Sequence, residues 1–357
     1  MNRIFLAVAV ALATCVGSTR DVLGAMMVPV PGVNGTVFRD INMGGGASPG
    51  EGIPDVAIEL YKDDGNGVFD AADEQVGGPT FTGPDGFYQF MDLDADANYF
   101  AVRPAQNIGS LALSQDVSAL LMPGVPNLVI DEFENNQIVK ADPYTPIATS
   151  TLSDSVSSIL GHERDMYVRL ISGIGEVQLR TNAFGVAVIQ YDNTSGVVGN
   201  GILTWDGEDM SASPVPTLGL GDVDLTEDGL NTGIFFRLGI DSTGKSEELR
   251  IRLYDDDPGI YSEGIIQFPV TDGTAKGSAF LAFSDITGPV SPSKVNAIQI
   301  WFGEDSPSID AQIDVIGAMG PVQQNFEIVP EPNSFVIMLI GLTAWLALRR
   351  RREVSGR

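Results

Sequence analysis

Short runs of alternating apolar and polar residues, broken by Gly, Asp, Asn and Pro, dominate the chain, and few stretches carry helical spacing. That pattern predicts an all-β protein. In a first block, residues 32–104, Val56, Ile58 and Leu60 alternate with Ala57, Glu59 and Tyr61, so one face of that strand is apolar. The stretch "DGFYQF" repeats the alternation after a turn at 84–86. In a second block, residues 126–322, segments such as "HERDMYVRLISG", "NTGIFFRLGIDS", "EELRIRLYDDD" and "VNAIQIWFGED" read as strands separated by turns. They predict a larger two-sheet jelly roll behind a small Ig-like sandwich. The Leu/Ala/Ser-rich stretch 105–125 reads as a connector with a helical turn.

Alternation also assigns faces in the second block. Ile234, Phe236, Leu238 and Ile240 share one face and leave Phe235 and Arg237 on the other. Leu249, Ile251 and Leu253 turn in, leaving Arg250, Arg252 and Tyr254 out; Ile298, Ile300 and Phe302 turn in, leaving Gln299 and Trp301 out. Arg237, Arg250, Arg252, Tyr254, Gln299 and Trp301 are therefore candidates for a glycan-binding face. Aromatic faces stack on apolar sugar faces, and arginine donors reach hydroxyls. The plainer alternative is an ordinary surface, or a Trp301 covered by a loop.

The two ends depart from this pattern. Arg3, an apolar run from Ile4 to Val16 and small residues around Gly24 and Ala25 predict a helical secretory signal over 1–25. The only cysteine, Cys15, lies within it, so the mature chain holds no disulfide. At the other end, Val329 to Arg352 reads "VPEPNSFVIMLIGLTAWLALRRRR". Its apolar run, 335–348, makes a hydrophobic helix of about 21 Å, short against a hydrocarbon core of about 30 Å.

The formal charge is −27, from 47 acidic and 20 basic residues. Removing both ends takes away Arg349–Arg352, Arg357 and Glu353 (+4), and Arg3, Arg20 and Asp21 (+1), giving −27 − 4 − 1 = −32. Such a chain repels nucleic acid, attracts divalent cations and stays soluble by self-repulsion.

Pro330, Glu331 and Pro332, then the apolar run, then Arg349, Arg350, Arg351 and Arg352, resemble a PEP-CTERM sorting signal of Gram-negative bacteria. The resemblance implies a transient membrane stop, processing by an exosortase-like enzyme, and delivery to the cell surface or extracellular matrix. In the first block, Gly35, Val37, Asp40, Asn42, Gly50–Gly52, Val56, Leu60, Tyr61, Asp85, Gly86, Tyr88 and Phe90 resemble the B-type repeats of serine-aspartate repeat adhesins. These are calcium-binding relatives of the Cna-B fold, and the resemblance implies a prealbumin-like sandwich serving as a stalk. No isopeptide cross-link is expected, because the opening strand has no lysine. The second block, opening near "IDEF", is similar to galactose-binding-like domains.

In "KDDGNGVFDAADE", Asp64, Asn66, Asp70 and Asp73 recur around Gly67 with spacing like positions 3, 5, 9 and 12 of an EF-hand loop. Lys62 stands at position 1 and rules out a full EF-hand, although Asp63 can substitute in a shifted geometry. A second acidic loop carries Asp40, Asn42 and Glu51. Hard oxygen ligands suit structural Ca2+ rather than zinc; plain solvated turns are the alternative. The sole histidine, His162, has no nucleophile motif beside it, so triads are not expected. The expectation is a non-enzymatic, calcium-stabilised surface or matrix protein. The alternatives are a carbohydrate-binding module for a surface polysaccharide and a carboxylate-based glycan-cleaving enzyme.

Overall fold

The computed structural model describes residues 31–154, 159–182, 185–240, 248–267, 277–303 and 310–329. The signal over 1–25 and, but for Val329, the tail segment over 329–352 lie outside them. Among the described residues no helix is long and apolar enough to cross a membrane.

The described chain is all-β, as its alternation predicts, and builds two sandwiches. The first contains β1 (Val33–Phe38), β2 (Ala57–Lys62), β3 (Glu74–Gln75), β4 (Thr80–Phe81) and β5 (Phe87–Phe90). It continues with β6 (Tyr99–Arg103), β7 (Gln106–Ile108), β8 (Leu111–Leu113) and β9 (Asp116–Val117). Val56, Ile58 and Leu60 are fully buried against Val33, Val37, Tyr88 and Tyr99. The stretch 105–125 is not a helical connector. It forms the β7–β8 hairpin and β9, which pairs with β6, and Leu113 and Leu121 fill the same core.

The second sandwich opens with β10 (Leu128–Asp131), β11 (Ile138–Ala141), β12 (Ile147–Ser153), β13 (Glu163–Ser172), β14 (Val177–Thr181), β15 (Ile189–Asn193) and β16 (Val198–Trp205). It closes with β17 (Gly233–Ile240), β18 (Glu248–Tyr254), β19 (Tyr261–Gln267), β20 (Gly277–Ala282), β21 (Ala297–Phe302) and β22 (Asp310–Met319). One sheet runs β12-β13-β16-β21-β18-β19, and the other runs β11-β14-β15-β22-β17-β20, with β10 added to β22. Between them lie Met166, Val168, Leu203, Leu249, Ile251, Ile298 and Ile300 from one side, and Val177, Leu179, Ile234, Phe236, Ile313 and Ile316 from the other.

The chain then returns to the first sandwich. Strands β23 (Val322–Gln323) and β24 (Phe326–Glu327) lie along β1 in parallel, with Val33 opposite Val322 and Phe38 opposite Glu327. Phe326 and Ile328 enter the first core. At the break between the two strands the Tyr88 hydroxyl donates to the Gln324 carbonyl. The fit depends on Gly35, where a Cβ would stand 1.7 Å from that same oxygen. Gly35→Ala is expected to displace the terminal segment and cost about 1–3 kcal/mol, as overpacked sites do. A thermal melt checks this, and an unchanged midpoint would contradict the pairing.

Candidate functional site

Because alternate residues of the β12-to-β19 sheet enter the core, the intervening ones form its outer face. Strand register sets them in transverse rows. One row is Thr151, Asp165, Thr204, Gln299, Arg252 and Glu263; the next is Tyr167, Ile202, Trp301, Arg250 and Ile265. Tyr254 and Tyr261 face each other in a third, with ring centroids 5.6 Å apart.

The β18–β19 end of this face is open. The Arg252 guanidinium sits 4.4 Å from the Tyr261 ring and 4.5 Å from the Trp301 ring, and its Nε donates to Glu263 at 2.7 Å. Stacking and the ion pair hold the arginine in one place. Tyr261 and Ile265 beside it are exposed.

The other end is roofed. The chain leaving β16 turns back at Asp206, the Pro214 carbonyl accepts from Gln299 Nε2 (3.2 Å), and Glu163 Oε1 accepts the Asp209 and Met210 N–H groups. Gln299, expected on an open face, is thereby buried, and Tyr254, hydrogen-bonded to it, is buried as well. Gln299 Oε1 accepts from the Tyr254 hydroxyl (2.8 Å) and from Trp301 Nε1 (3.3 Å), so it positions both rings. Beneath the roof, burial pushes the Asp165 carboxyl up to about 7; Asp206, Glu163 and Asp209 add to the rise, and the Thr151 hydroxyl on the neighbouring strand opposes it.

Two further residues depart from the expected outer face. Arg237 lies on β17 in the opposite sheet, paired to Asp96 of the first sandwich at 3.5 Å. Phe235, on the same side of β17, is buried with Met319 against Ala95. Alternation assigns a face but not a sheet, and here the far side of β17 meets the first sandwich. Conversely, Tyr261, Glu263 and Ile265 escaped the sequence reading. Their inward neighbours Ser262 and Gly264 are too small to make the alternation visible.

The acidic loops of the first sandwich behave differently from each other. Carboxylate oxygens of Asp63, Asp64 and Asp73 lie within 4.8 Å of one another. Each also accepts a backbone N–H: Asp63 from Gly67, Asp64 from Asn66, and Asp73 from both Asp64 and Asp70. Asn66 donates to Asp70 (3.2 Å), so those two close the loop rather than join the group. In the other loop Glu51 accepts the N–H groups of Ile41, Asn42 and Ser48. Burial opposes its charge, yet these donors hold it below the usual carboxylate range. Asp40 is occupied by Gly44 and Gly45, and Asn42 by Gly44 and Ser48. The sorting residues Pro330, Glu331, Pro332 and Arg349–Arg352 lie outside the described residues.

Neither a protein-family model nor a curated protein matches the chain. Solved structures similar to it include a family 11 carbohydrate-binding module from Clostridium thermocellum in complex with a β-1,3-1,4-mixed-linked tetrasaccharide. It is 10% identical at a TM-score of 0.29, over 56% of this chain and 99% of that one. A carbohydrate-binding module of the β-sandwich superfamily is 11% identical at 0.25, over 74% and 86%. At these scores the likeness carries no argument about ligand, which rests on the residues themselves.

Proposed function

We propose that this is an exported, non-catalytic surface or matrix protein whose second sandwich binds a glycan on the β18–β19 end of its outer face. The observation that carries the reading is Arg252 immobilised between Tyr261 and Trp301. Two aromatic rings and a fixed set of N–H donors on an exposed sheet suit the flat apolar faces and hydroxyl edges of sugar rings. The strongly negative chain disfavours polyanionic ligands and favours a neutral polysaccharide. The clustered carboxylates on this face, Glu163 and Asp165, are 1% and 2% exposed, which supports binding over cleavage. Export and exosortase-type sorting rest on the two terminal segments.

The test is affinity electrophoresis in gels containing neutral β-glucans. Trp301→Ala and Tyr261→Ala are each expected to weaken binding roughly tenfold, about 1.4 kcal/mol. Retardation unchanged in the double variant would sink the reading.

The first sandwich is proposed to take Ca2+ at Asp63, Asp64 and Asp73, whose oxygen-only donor set and spacing fit a hard cation. Calcium is expected to raise the melting temperature of wild type more than that of an Asp64→Asn/Asp73→Asn variant. Equal calcium shifts in the two proteins would remove the metal from this loop.

A further inference from the structure

Glu163 and Asp165 are two residues apart on β13, so both leave the same face of the strand. Asp206 follows the last residue of the paired strand β16, and Asp209 lies three residues on, in the loop that folds back. Oxygens of Glu163, Asp165 and Asp209 stand within 4.8 Å of one another. That is about twice a calcium–oxygen distance of roughly 2.3–2.6 Å.

What sets this group apart is its unmet demand. Glu163 is pinned: Oε1 accepts from Asp209 N (3.0 Å) and Met210 N (2.9 Å), and Oε2 accepts from the Ser153 hydroxyl (2.6 Å). Its neighbours are satisfied only in part: Asp209 Oδ1 accepts from Ser211 N (2.7 Å) and Asp206 Oδ2 from Thr217 N (2.7 Å). Both oxygens of Asp165, Oδ1 of Asp206 and Oδ2 of Asp209 are buried and accept nothing, and Asp165 is only 2% exposed. Among the described residues no ion pair reaches any of the four. Arg164, between two of them in sequence, points into the core and pairs with Asp131. A buried carboxylate with neither donor nor counter-charge, as Asp165 is, is strongly destabilising. In the 63–73 loop, by contrast, each of the three clustered acids keeps a backbone donor, where Asp165 has none.

We propose that Glu163, Asp165 and Asp209 hold a hard divalent cation, with the free oxygen of Asp206 at its edge. The group has neither His nor Cys, which selects the calcium and magnesium class over zinc. The cation ties β13 to the loop after β16, and so fastens the roof over Gln299. This site is independent of the glycan reading.

The full chain, stripped with chelator, is titrated calorimetrically with calcium chloride and separately with magnesium chloride. Wild type is expected to bind one more cation than Asp165→Asn, and the Asp64→Asn/Asp73→Asn variant is expected to keep that event. Calcium should also slow proteolysis within 206–220 at least tenfold in wild type and not in Asp165→Asn. Asp209→Asn, on the loop, repeats the comparison should the strand variant fold poorly. Equal uptake by wild type and both single-site variants overturns the assignment, as does a wild type that takes up neither cation.

Discussion

Replacing Arg164 with methionine is expected to cost the second sandwich about 3–5 kcal/mol. Arg164 and Asp131 are both fully buried, and one guanidinium nitrogen donates to both Asp131 oxygens at 2.9 Å. Nε donates to Gln137 (2.9 Å), and the remaining nitrogen reaches the Asn135 carbonyl (3.2 Å) and the Thr181 hydroxyl (3.3 Å). Asp131 also accepts from Trp205 Nε1 (3.0 Å) and from the Phe133 N–H (2.8 Å), and the Phe133 ring lies 5.6 Å from the guanidinium. Removing one charge strands the other in the core. Removing both, as Asp131→Leu with Arg164→Met, is expected to recover most of the loss. The shortfall is about 1 kcal/mol for each partner, Gln137 or Trp205, left unpaired. Urea melts followed by Trp205 fluorescence measure both variants. A single variant within 1 kcal/mol of wild type would show the pair to be dispensable.

The second large effect falls on the other sandwich. Phe326 is 1% exposed, and its ring lies 6.1 Å from that of Tyr88. Phe326→Ala leaves a cavity in a small core and is expected to cost about 3–5 kcal/mol. Removing residues 322–329 also strips one edge of β1 of its bonds, including Gln324 N to Asn34 O (2.8 Å), Ile328 N to Phe38 O (2.8 Å) and Thr36 N to the Asn325 side chain (2.8 Å). Residues 31–125 alone should therefore exchange rapidly the β1 amides on that edge, such as Thr36. The same segment carrying 321–329 on a flexible linker should protect them. Equal protection in the two would mean that the first sandwich closes without its last strand.

These two features mark how far the sequence could be read. The faces of β2, β18 and β21 were legible because large apolar residues alternate with polar ones along each. Arg164 shares parity with Met166 and Val168, so its inward direction was readable, but its partner Asp131 lies 33 residues away and only strand pairing brings them together. The roof over Gln299 and the acids beneath it were hidden for the same reason. Glu163 and Asp165 look like ordinary outward residues until the loop after β16 folds over them. Nothing local could announce β23 and β24, whose partner is the first strand of the fold. The hairpin in 105–125 was missed because Leu, Ala and Ser at short spacing suit a helix as well as a strand.

The parallel seam between β1 and β24 also sets an order of events in time. Thr36 N bonds the Asn325 side chain across 289 residues, so this contact closes after nearly all of the described chain has emerged. Long-range closures of this kind are slow and are rewarded late. A chain emerging from its N-terminus leaves one edge of β1 unpaired while the second sandwich assembles. An unpaired edge accepts any strand that fits, including residues 322–327 of another copy. The same seam that completes one molecule is thus the point at which two molecules, folding side by side, exchange their last strands.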